Sequence, residues 1–177
     1  LGPLPEEVFA ALDDDDQRAA HALFRRLVLP GSEGPPTRRR ARRSELERVP
    51  DAVVEAFGRA RLLRFDREPE SREPTVEVSH EALFRAWGRL AAWIEEGEDD
   101  LRLLGHLTAA AADWDTGGRE ESELYRGTRL DAALAFVEAH PGELSATEAA
   151  FVDAGRERRH RDRASATRTL RRLRALT

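Results

Sequence analysis

The chain has 177 residues and a formal net charge of −5 at pH 7, with 40% hydrophobic and 36% charged residues. It contains no Cys, which excludes disulfides and thiolate catalysis, and no apolar run approaches the roughly 20 residues needed to cross a bilayer. Met is absent, even at position 1, so we expect a piece of a longer protein. The N-terminal LGPLPEEVF lacks the basic and apolar regions of a signal peptide, which predicts a cytoplasmic location.

The first predicted elements are helices. The run DDDDQRAAHALFRRLVLP (13–30) places acidic residues before a periodic segment, and Asp favours a helix N-terminus because it caps free N–H groups. Pro30 and Gly31 are expected to stop this helix, and a short helix over 5–12 precedes it. The apolar residues recur at helical spacing and predict one buried stripe of Ala20, Leu23, Phe24 and Leu27.

The basic run TRRRARR (37–43) is expected to be extended, because it offers little to bury. Ser44 followed by Glu47 has the pattern of a capping box before a short helix. Pro50 and Asp51 open the next helix, whose predicted apolar face contains Val53, Val54 and Phe57.

Two short alternating runs surround the polar loop 67–74 and predict a β-hairpin over about 62–79. After it, apolar residues at helical spacing predict one amphipathic helix through Leu83, Trp87, Leu90 and Ile94. The order of elements up to residue 97 is that of a winged-helix domain. The loop 67–74 would be its wing, and helix 51–61 would take the position of a recognition helix.

Residues 98–177 are predicted to form a second, helical arm. A first helix is closed by Gly117 and Gly118, a second by the run HPGE (140–143), and Ser145 or Thr147 caps the last one. That last helix is strongly basic and has few apolar residues after Val152, namely Leu170, Leu173 and Leu176. The fold class is therefore mainly α: a winged-helix domain over 1–97 followed by an α-helical bundle or arm over 98–177.

No catalytic or metal-binding pattern is present in the sequence. His80-Glu81 resembles the start of a zinc-protease helix, but the second His would stand at position 84, which is Phe84. There is no Gly-rich phosphate loop with its Lys and no Ser in a nucleophile elbow. We therefore expect no enzymatic activity, no metal and no cofactor of its own in this chain.

Two basic segments are candidates for phosphate contacts. In the first, the residues that could contact phosphate are Arg38, Arg39, Arg40, Arg42 and Arg43. DNA readout by a winged helix needs a polar, basic third helix, whereas helix 51–61 is nearly neutral and the loop 67–74 carries as much acid as base. A DNA-binding regulator is therefore the alternative function. The basic tail is either a linker or an element that binds nucleic acid or an acidic membrane surface.

Ser79-His80-Glu81 stands at the junction between the hairpin and the helix that follows it. A His side chain at such a junction can point away from the core and reach a partner domain or a ligand phosphate. The alternative is that His80 makes a local hydrogen bond, with Glu81 placed favourably near the positive end of the helix dipole.

The runs VEVSHEAL (76–83) and LYRGTRL (124–130), taken together, resemble the region that follows the ATPase core in bacterial STAND-type NTPases. The upstream runs ALFRRLVLPG, TRRRARRSEL and VVEAFGRARLLRFD resemble the winged-helix part of the same proteins, so that the resemblance covers nearly the whole chain. For LYRGTRL the residues themselves indicate a structural role, in which Tyr125 and Arg126 brace a helix corner and Gly127 permits the turn.

The resemblance implies a non-catalytic regulatory module in a signal-transduction NTPase. Its winged helix would act as a lid on the ATPase core, which would bind ADP or ATP with Mg²⁺, and its arm would couple the core to a C-terminal sensor module, often WD40 or other repeats. The expected partners are thus the protein's own core and sensor; self-association on activation is left open.

The same resemblance gives the junction a role. In related STAND proteins a Met-His-Asp motif at this place contacts bound ADP through its His and holds the inactive state. Ser79-His80-Glu81 is similar, with Ser79 for Met and Glu81 for Asp, so only the role of His80 carries over directly. In the implied two-state switch, the nucleotide acts through its different affinity for the two states.

Overall fold

The computed structural model describes residues 4–31 and 34–175. It divides into two compact units, unit 1 over Leu1–His106 and unit 2 over Leu107–Thr177. The described part is mainly helical with small antiparallel sheets, which confirms the predicted class at that level. The helices are α1 (Pro5–Ala10), α2 (Asp14–Arg26), α3 (Asp51–Arg59), α4 (Leu83–Ala86), α5 (Gly88–Glu96), α6 (Glu98–Thr116), α7 (Gly127–Ala139) and α8 (Ala146–Ala175).

The first helices of unit 1 begin where their sequences predict. The side chain of Asp13 caps α2 by accepting a hydrogen bond from the backbone N–H of Asp16 at 2.8 Å. The helix ends at Arg26, before Pro30, because Val28 and Leu29 instead form a short strand. The predicted stripe of α2 and the residue that follows it are fully buried: Ala20, Leu23, Phe24 and Leu27.

The strands form two sheets. In the first, β1 (Val28–Leu29) pairs antiparallel with β2 (Thr37–Arg38). In the second, of order β3-β5-β4, β5 (Pro74–Val78) lies between β3 (Ala41–Arg42) and β4 (Leu63–Arg67). The predicted hairpin is therefore present as β4 and β5. The basic run is extended as expected, but it also supplies strands, because Ala41 is fully buried opposite Val76.

The predicted capping box at Ser44 is wrong. Residues Arg43–Leu46 form a single 3₁₀ turn, which places Ser44 inside the turn rather than before it. The carboxylate that reaches back belongs to Glu45, which accepts from the backbone N–H of Arg42 at 3.2 Å. The strand pairing of Arg42 with Thr75 fixes where the turn begins, two residues earlier than the sequence pattern indicates.

The predicted single helix through Leu83 and Ile94 is also wrong, because it is broken at Trp87. This residue has φ −96° and ψ 99°, so α4 ends before it and α5 begins after it. The buried Trp87 ring packs edge-on against Phe24 at 5.1 Å, and its Nε1 donates to Glu6 Oε2 at 2.7 Å. The ring of Trp87 is thus packed and its N–H is hydrogen-bonded. We infer that these two contacts hold the backbone of Trp87 in its extended conformation.

The core of unit 1 is rich in aromatic rings. Phe24 also packs edge-on against Phe57 of α3, with ring centroids 5.0 Å apart. Phe9 of α1 packs against Trp93 of α5 at 5.4 Å. Such offset and edge-to-face pairs are favourable beyond the area they bury. They connect α1, α2, α3 and α5 around one apolar centre.

Unit 2 contains the end of α6, then α7 and α8. Phe151 of α8 packs edge-on against Trp114 at 5.5 Å and Tyr125 at 5.0 Å. Gly127 begins α7 with φ +53°, a conformation in which Gly carries no steric penalty. α6 ends before Gly117, as predicted. The domain boundary expected from the sequence, after residue 97, coincides with the start of α6. The two compact units meet further along the same helix, between His106 and Leu107.

Of the two predicted caps of α8, the structure uses Ser145. Its hydroxyl accepts from the backbone N–H of Glu148 at 3.3 Å, and Glu148 accepts from the backbone N–H of Ser145 at 2.9 Å. The predicted apolar positions Leu170, Leu173 and Leu176 lie outside the described side chains.

Candidate interaction surface at the strand-to-helix junction

The backbone of the junction is held on both sides of His80. On the strand side, the N–H of Ser79 donates to the carbonyl of Leu62 at 2.9 Å. On the helix side, the carbonyl of His80 accepts from the N–H of Leu83 at 3.0 Å, and that of Glu81 accepts from Phe84 at 3.0 Å. Since Leu83 and Phe84 are buried, the junction is anchored to the core of unit 1.

The imidazole of His80 is exposed on this anchored backbone. Among the residues that the structure describes, none forms a hydrogen bond or ion pair with its ring. The side chain is thus exposed on a backbone that hydrogen bonds hold on both sides. An imidazole in this position can donate to an anionic oxygen, most strongly when it is protonated.

Glu81, the next residue, is engaged within the unit. Its Oε1 accepts from the backbone N–H of Arg38 in β2 at 3.2 Å. This contact brings two of the predicted candidate groups, the junction and the basic run, to the same place. Leu29 of β1 lies on the same ribbon, paired with Thr37, and is 41% exposed. We call His80, Glu81, Arg38 and Leu29 the junction surface.

The arginines of the basic run meet carboxylates from other elements. The nearest is Glu77 of β5, whose side chain is only 8% exposed. Its Oε2 lies 3.4 Å from Nε of Arg40, and its Oε1 lies 3.9 Å from Nη1 of Arg38. Glu77 therefore balances charge from both arginines beneath the run.

Arg42 is paired at the hairpin loop. Its Nη2 donates to Glu68 Oε1 at 3.0 Å, and its Nε lies 4.0 Å from Glu73 Oε2. The carboxylate of Glu68 raises the pKa of Arg42. The hydroxyl of Ser71 and then the guanidinium of Arg42 lower the pKa of Glu68. The loop thus carries acid that faces the basic run.

Arg39 and Arg43 complete the set. Arg39 pairs with Glu45 at 2.6 Å and also donates to the carbonyl of Arg26 at 3.0 Å. Arg43 pairs with Asp51 at the start of α3 and donates to the carbonyl of Leu46 at 2.7 Å. All five candidate arginines therefore contact acceptors within unit 1, and the basic run is not an open cationic strip.

The outer face of α3 is close to neutral. Glu55 and Arg59, one turn apart, form an exposed pair at 3.2 Å. Asp51, also exposed, accepts from Arg43. A helix that reads DNA bases places unpaired polar and basic groups in the major groove, and this face carries paired ones.

Metal-binding clusters and membrane-spanning helices are both absent from the described part of the chain. There, no group of three or more His, Cys, Asp or Glu side chains is arranged to hold a metal ion. Likewise, none of the helices over 4–31 and 34–175 combines the length and apolarity that crossing a membrane requires.

Two residues of this region were not predicted from the sequence as site residues: Leu29 of the junction surface, and Glu77, which pairs with the basic run. Glu77 alternates with Val76 and Val78, a pattern that indicates a solvent-facing side chain, and the arginines of the adjacent run cover it. Leu29 was expected inside the predicted helix that Pro30 and Gly31 end, but not in its buried stripe. Its place just before Pro30 and Gly31 is the signal that could have indicated a strand end instead.

Comparison with known proteins identifies the family through its family model rather than through an individual relative. A search of curated proteins and of solved structures finds no significant similarity to this chain. Residues 4–122, which include all of unit 1 that the structure describes, match the model of the family described as Novel STAND NTPase 1. With this match over more than half of its length, the chain belongs to the Novel STAND NTPase 1 family.

Proposed function

We propose that the chain is a non-catalytic regulatory module of a STAND-type NTPase, in which unit 1 is a winged-helix lid that packs on the nucleotide-binding core. His80 senses the bound nucleotide by donating to a phosphate oxygen of ADP. The observation that carries the proposal is the exposed imidazole on a backbone anchored by hydrogen bonds to Leu62 and Leu83.

The order of elements supports the winged-helix reading. The series α2, β3, the 3₁₀ turn, α3, β4 and β5 alternates helices with an antiparallel sheet of order β3-β5-β4. In this reading the loop after β4 is the wing. Its carboxylates Glu68 and Glu73 pair with Arg42 of the same unit. This pairing fits a regulatory lid better than a DNA-reading wing.

The junction surface also has the composition of a docking surface. Leu29 is a large apolar side chain exposed beside the polar groups of Arg38, Glu81 and His80. An exposed apolar residue rimmed by polar ones is typical of a surface that contacts another protein domain. The core of the same protein is the partner that we propose for it.

The described residues fit one contact with a nucleotide rather than a nucleotide site of their own. His80 offers a single donor, and the neighbouring arginines are occupied by Glu77, Glu68 and Glu45. We therefore assign the binding of ADP or ATP with Mg²⁺ to the core. The lid adds one hydrogen bond that is present in one state and absent in the other, and so shifts the equilibrium between them.

The test uses the NTPase that carries this module and measures the ADP released after purification without added nucleotide and denaturation. His80→Ala is expected to reduce ADP retention about 10- to 150-fold, which corresponds to one charge-assisted hydrogen bond of about 1.5–3 kcal/mol. His160→Ala removes another exposed His and serves as the matched control. Equal ADP in wild type and His80→Ala would reject the sensing role.

The alternative function is a winged-helix DNA-binding regulator. It predicts salt-sensitive binding of duplex DNA through α3 and β4. Binding that disappears when Arg59 and Arg64 are both replaced by Gln would support it. The acidic partners of the basic run and of Arg59 favour the lid.

A further inference from the structure

The basic charge of the chain is concentrated in α8. Residues 156–174 contain nine arginines and two carboxylates, Glu157 and Asp162, although the chain as a whole has a net charge of −5. The rest of the molecule is therefore strongly acidic. A positive segment on an otherwise acidic protein is a separate electrostatic feature, which the lid proposal does not use.

Only the first part of α8 packs in unit 2. Phe151 and Val152 are buried, and a side chain at Gly155 would come within 3.1 Å of Leu130 Cδ1, so this stretch lies closely against α7. From His160 through Arg168 every side chain is exposed. A helix that is polar on all sides buries no apolar face of its own, and a polyanion is one partner that can stabilise it.

The arginines of α8 fall into two groups. Near its packed part, Arg158 and Arg161 lie 3.5 and 2.8 Å from Glu121, and Arg159 pairs with Asp131. Further along, Arg163, Arg168 and Arg171 are exposed. None of these three forms an ion pair with any side chain that the structure describes, so their charge is directed to solvent.

These three arginines lie on one side of the helix. At about 100° per residue, Arg163, Arg171 and Arg168 fall within roughly 140° of the circumference and over about 12 Å of the axis. Four exposed, small residues, Ala164, Ser165, Ala166 and Thr167, separate Arg163 from Arg168. A helix with small side chains between its arginines can approach a duplex closely, since the major groove is about 12 Å wide.

The composition of the segment narrows the class of polyanion. Residues 156–174 contain no Phe, Trp or Tyr, and their large apolar residues are two leucines, Leu170 and Leu173. Single-stranded nucleic acid is bound by stacking on aromatic rings, and a helix in a membrane interface needs a substantial apolar face with Trp, Phe or Leu. Contacts to the phosphates of a duplex need neither.

We propose that the exposed part of α8, centred on Arg163, Arg168 and Arg171, binds the phosphate backbone of double-stranded nucleic acid without sequence preference. This surface is distinct from the junction surface, and the proposal does not rest on the lid function. A module with both surfaces would sense the bound nucleotide through the junction surface while α8 binds a duplex.

The test is fluorescence anisotropy of the 177-residue chain with a labelled 20-base-pair duplex of arbitrary sequence, titrated at several salt concentrations. Replacing Arg163, Arg168 and Arg171 together by Gln is expected to weaken binding by about tenfold or more at low salt and to reduce the salt slope by about 3. Gln keeps helix propensity close to that of Arg, and circular dichroism checks that α8 remains helical.

The matched control replaces Arg18, Arg48 and Arg85 by Gln, which removes the same charge from exposed positions in unit 1. We expect this variant to bind as the wild type does. Equal weakening in both variants would show that α8 is not the site. Vesicles of 30% phosphatidylglycerol in phosphatidylcholine replace the duplex in a second arm; binding to vesicles alone, or to neither ligand, would overturn the proposal.

Discussion

Glu148 is a carboxylate in the interior of unit 2, with only 1% of its surface exposed. Its Oε1 accepts from the hydroxyl of Thr108 on α6 at 2.6 Å, and its Oε2 accepts from the backbone N–H of Ser145 at 2.9 Å. A buried charged group is costly unless hydrogen bonds satisfy it. The capping box of α8 is therefore also a contact between α6 and α8.

This arrangement predicts the effect of a nearly isosteric substitution. Thr108→Val removes the donor and leaves one oxygen of the buried Glu148 with less compensation, so we expect unit 2 to lose about 1.5–3 kcal/mol of unfolding free energy. Amide hydrogen exchange in α8 near Glu148 measures the loss within that unit. Thr128→Val, at an exposed position of α7, should stay within about 0.5 kcal/mol; equal effects would contradict the role assigned to Thr108.

The roles of some of these residues can be predicted from the sequence, and those of others cannot. Ser145 was a predicted cap, because capping depends on nearest neighbours in the chain. The burial of Glu148 was not predicted, since it depends on Thr108, 40 residues away. His80 shows the same division: its place at the junction follows from local pattern, whereas the engagement of Glu81 by Arg38 depends on how distant segments meet.

Helix α3 ends with an Arg at a position where helices usually have Gly. Arg61 has φ 59°, in the left-handed region that Gly adopts without penalty. Its N–H donates to the carbonyl of Gly58 at 2.9 Å, and that of Leu62 donates to Phe57 at 3.0 Å. These two bonds define a Schellman motif, in which an Arg occupies the usual place of Gly.

Arg61→Gly is therefore expected to raise the free energy of unfolding by about 0.5–1 kcal/mol, because it relieves the strain of a left-handed non-Gly residue. Urea denaturation followed by circular dichroism measures the change. Arg64→Gly, three residues on and inside β4, removes the same side chain where Gly weakens a strand, so its effect should have the opposite sign. A loss of stability in both variants would contradict the account of Arg61.

The elements that were predicted correctly are those fixed by periodicity. The hairpin and the helices α2, α3 and α6 follow from spacing of apolar residues. The break at Trp87 could not be predicted that way, because the spacing of Leu83, Trp87 and Leu90 continues through it. It depends instead on Glu6, 81 residues away, which accepts from the indole N–H.

For the whole molecule, the common theme is arginine held by carboxylates. Five arginines of the basic run contact acceptors in unit 1, and Glu121 receives Arg158 and Arg161 in unit 2. A run such as RRRARR resembles a phosphate-binding strip in the sequence, but the fold brings acidic residues from β5 and the hairpin loop to it. At the far end of α8, Arg163, Arg168 and Arg171 are exposed and form no ion pair with a side chain that the structure describes.

This pairing gives the protein a defined sensitivity to acid. Hydrogen bonds from Arg89 and then from Trp87 lower the pKa of Glu6 from 4.5 to about 2. Arg161 lowers the pKa of Glu121, and Ser71 and Arg42 lower that of Glu68. A carboxyl whose pKa is lowered by folding stabilises the protein above its unfolded pKa, and that contribution is lost as the pH falls toward the folded value.

We therefore expect the urea midpoint of the chain to fall between pH 4.5 and pH 2, and Glu6→Gln tests one cause of the fall. Its side chain is 49% exposed, so solvent screening limits the loss at pH 7 to about 0.5–1 kcal/mol. The difference between Glu6→Gln and wild type should narrow as the pH approaches 2, because the pKa of Glu6 in the folded protein is about 2 and its carboxyl is then about half protonated. Glu70→Gln, in the hairpin loop, should show no difference at either pH. A gap for Glu6→Gln that persists unchanged at pH 2 would mean that the contact with Arg89 and Trp87 acts through packing rather than through charge.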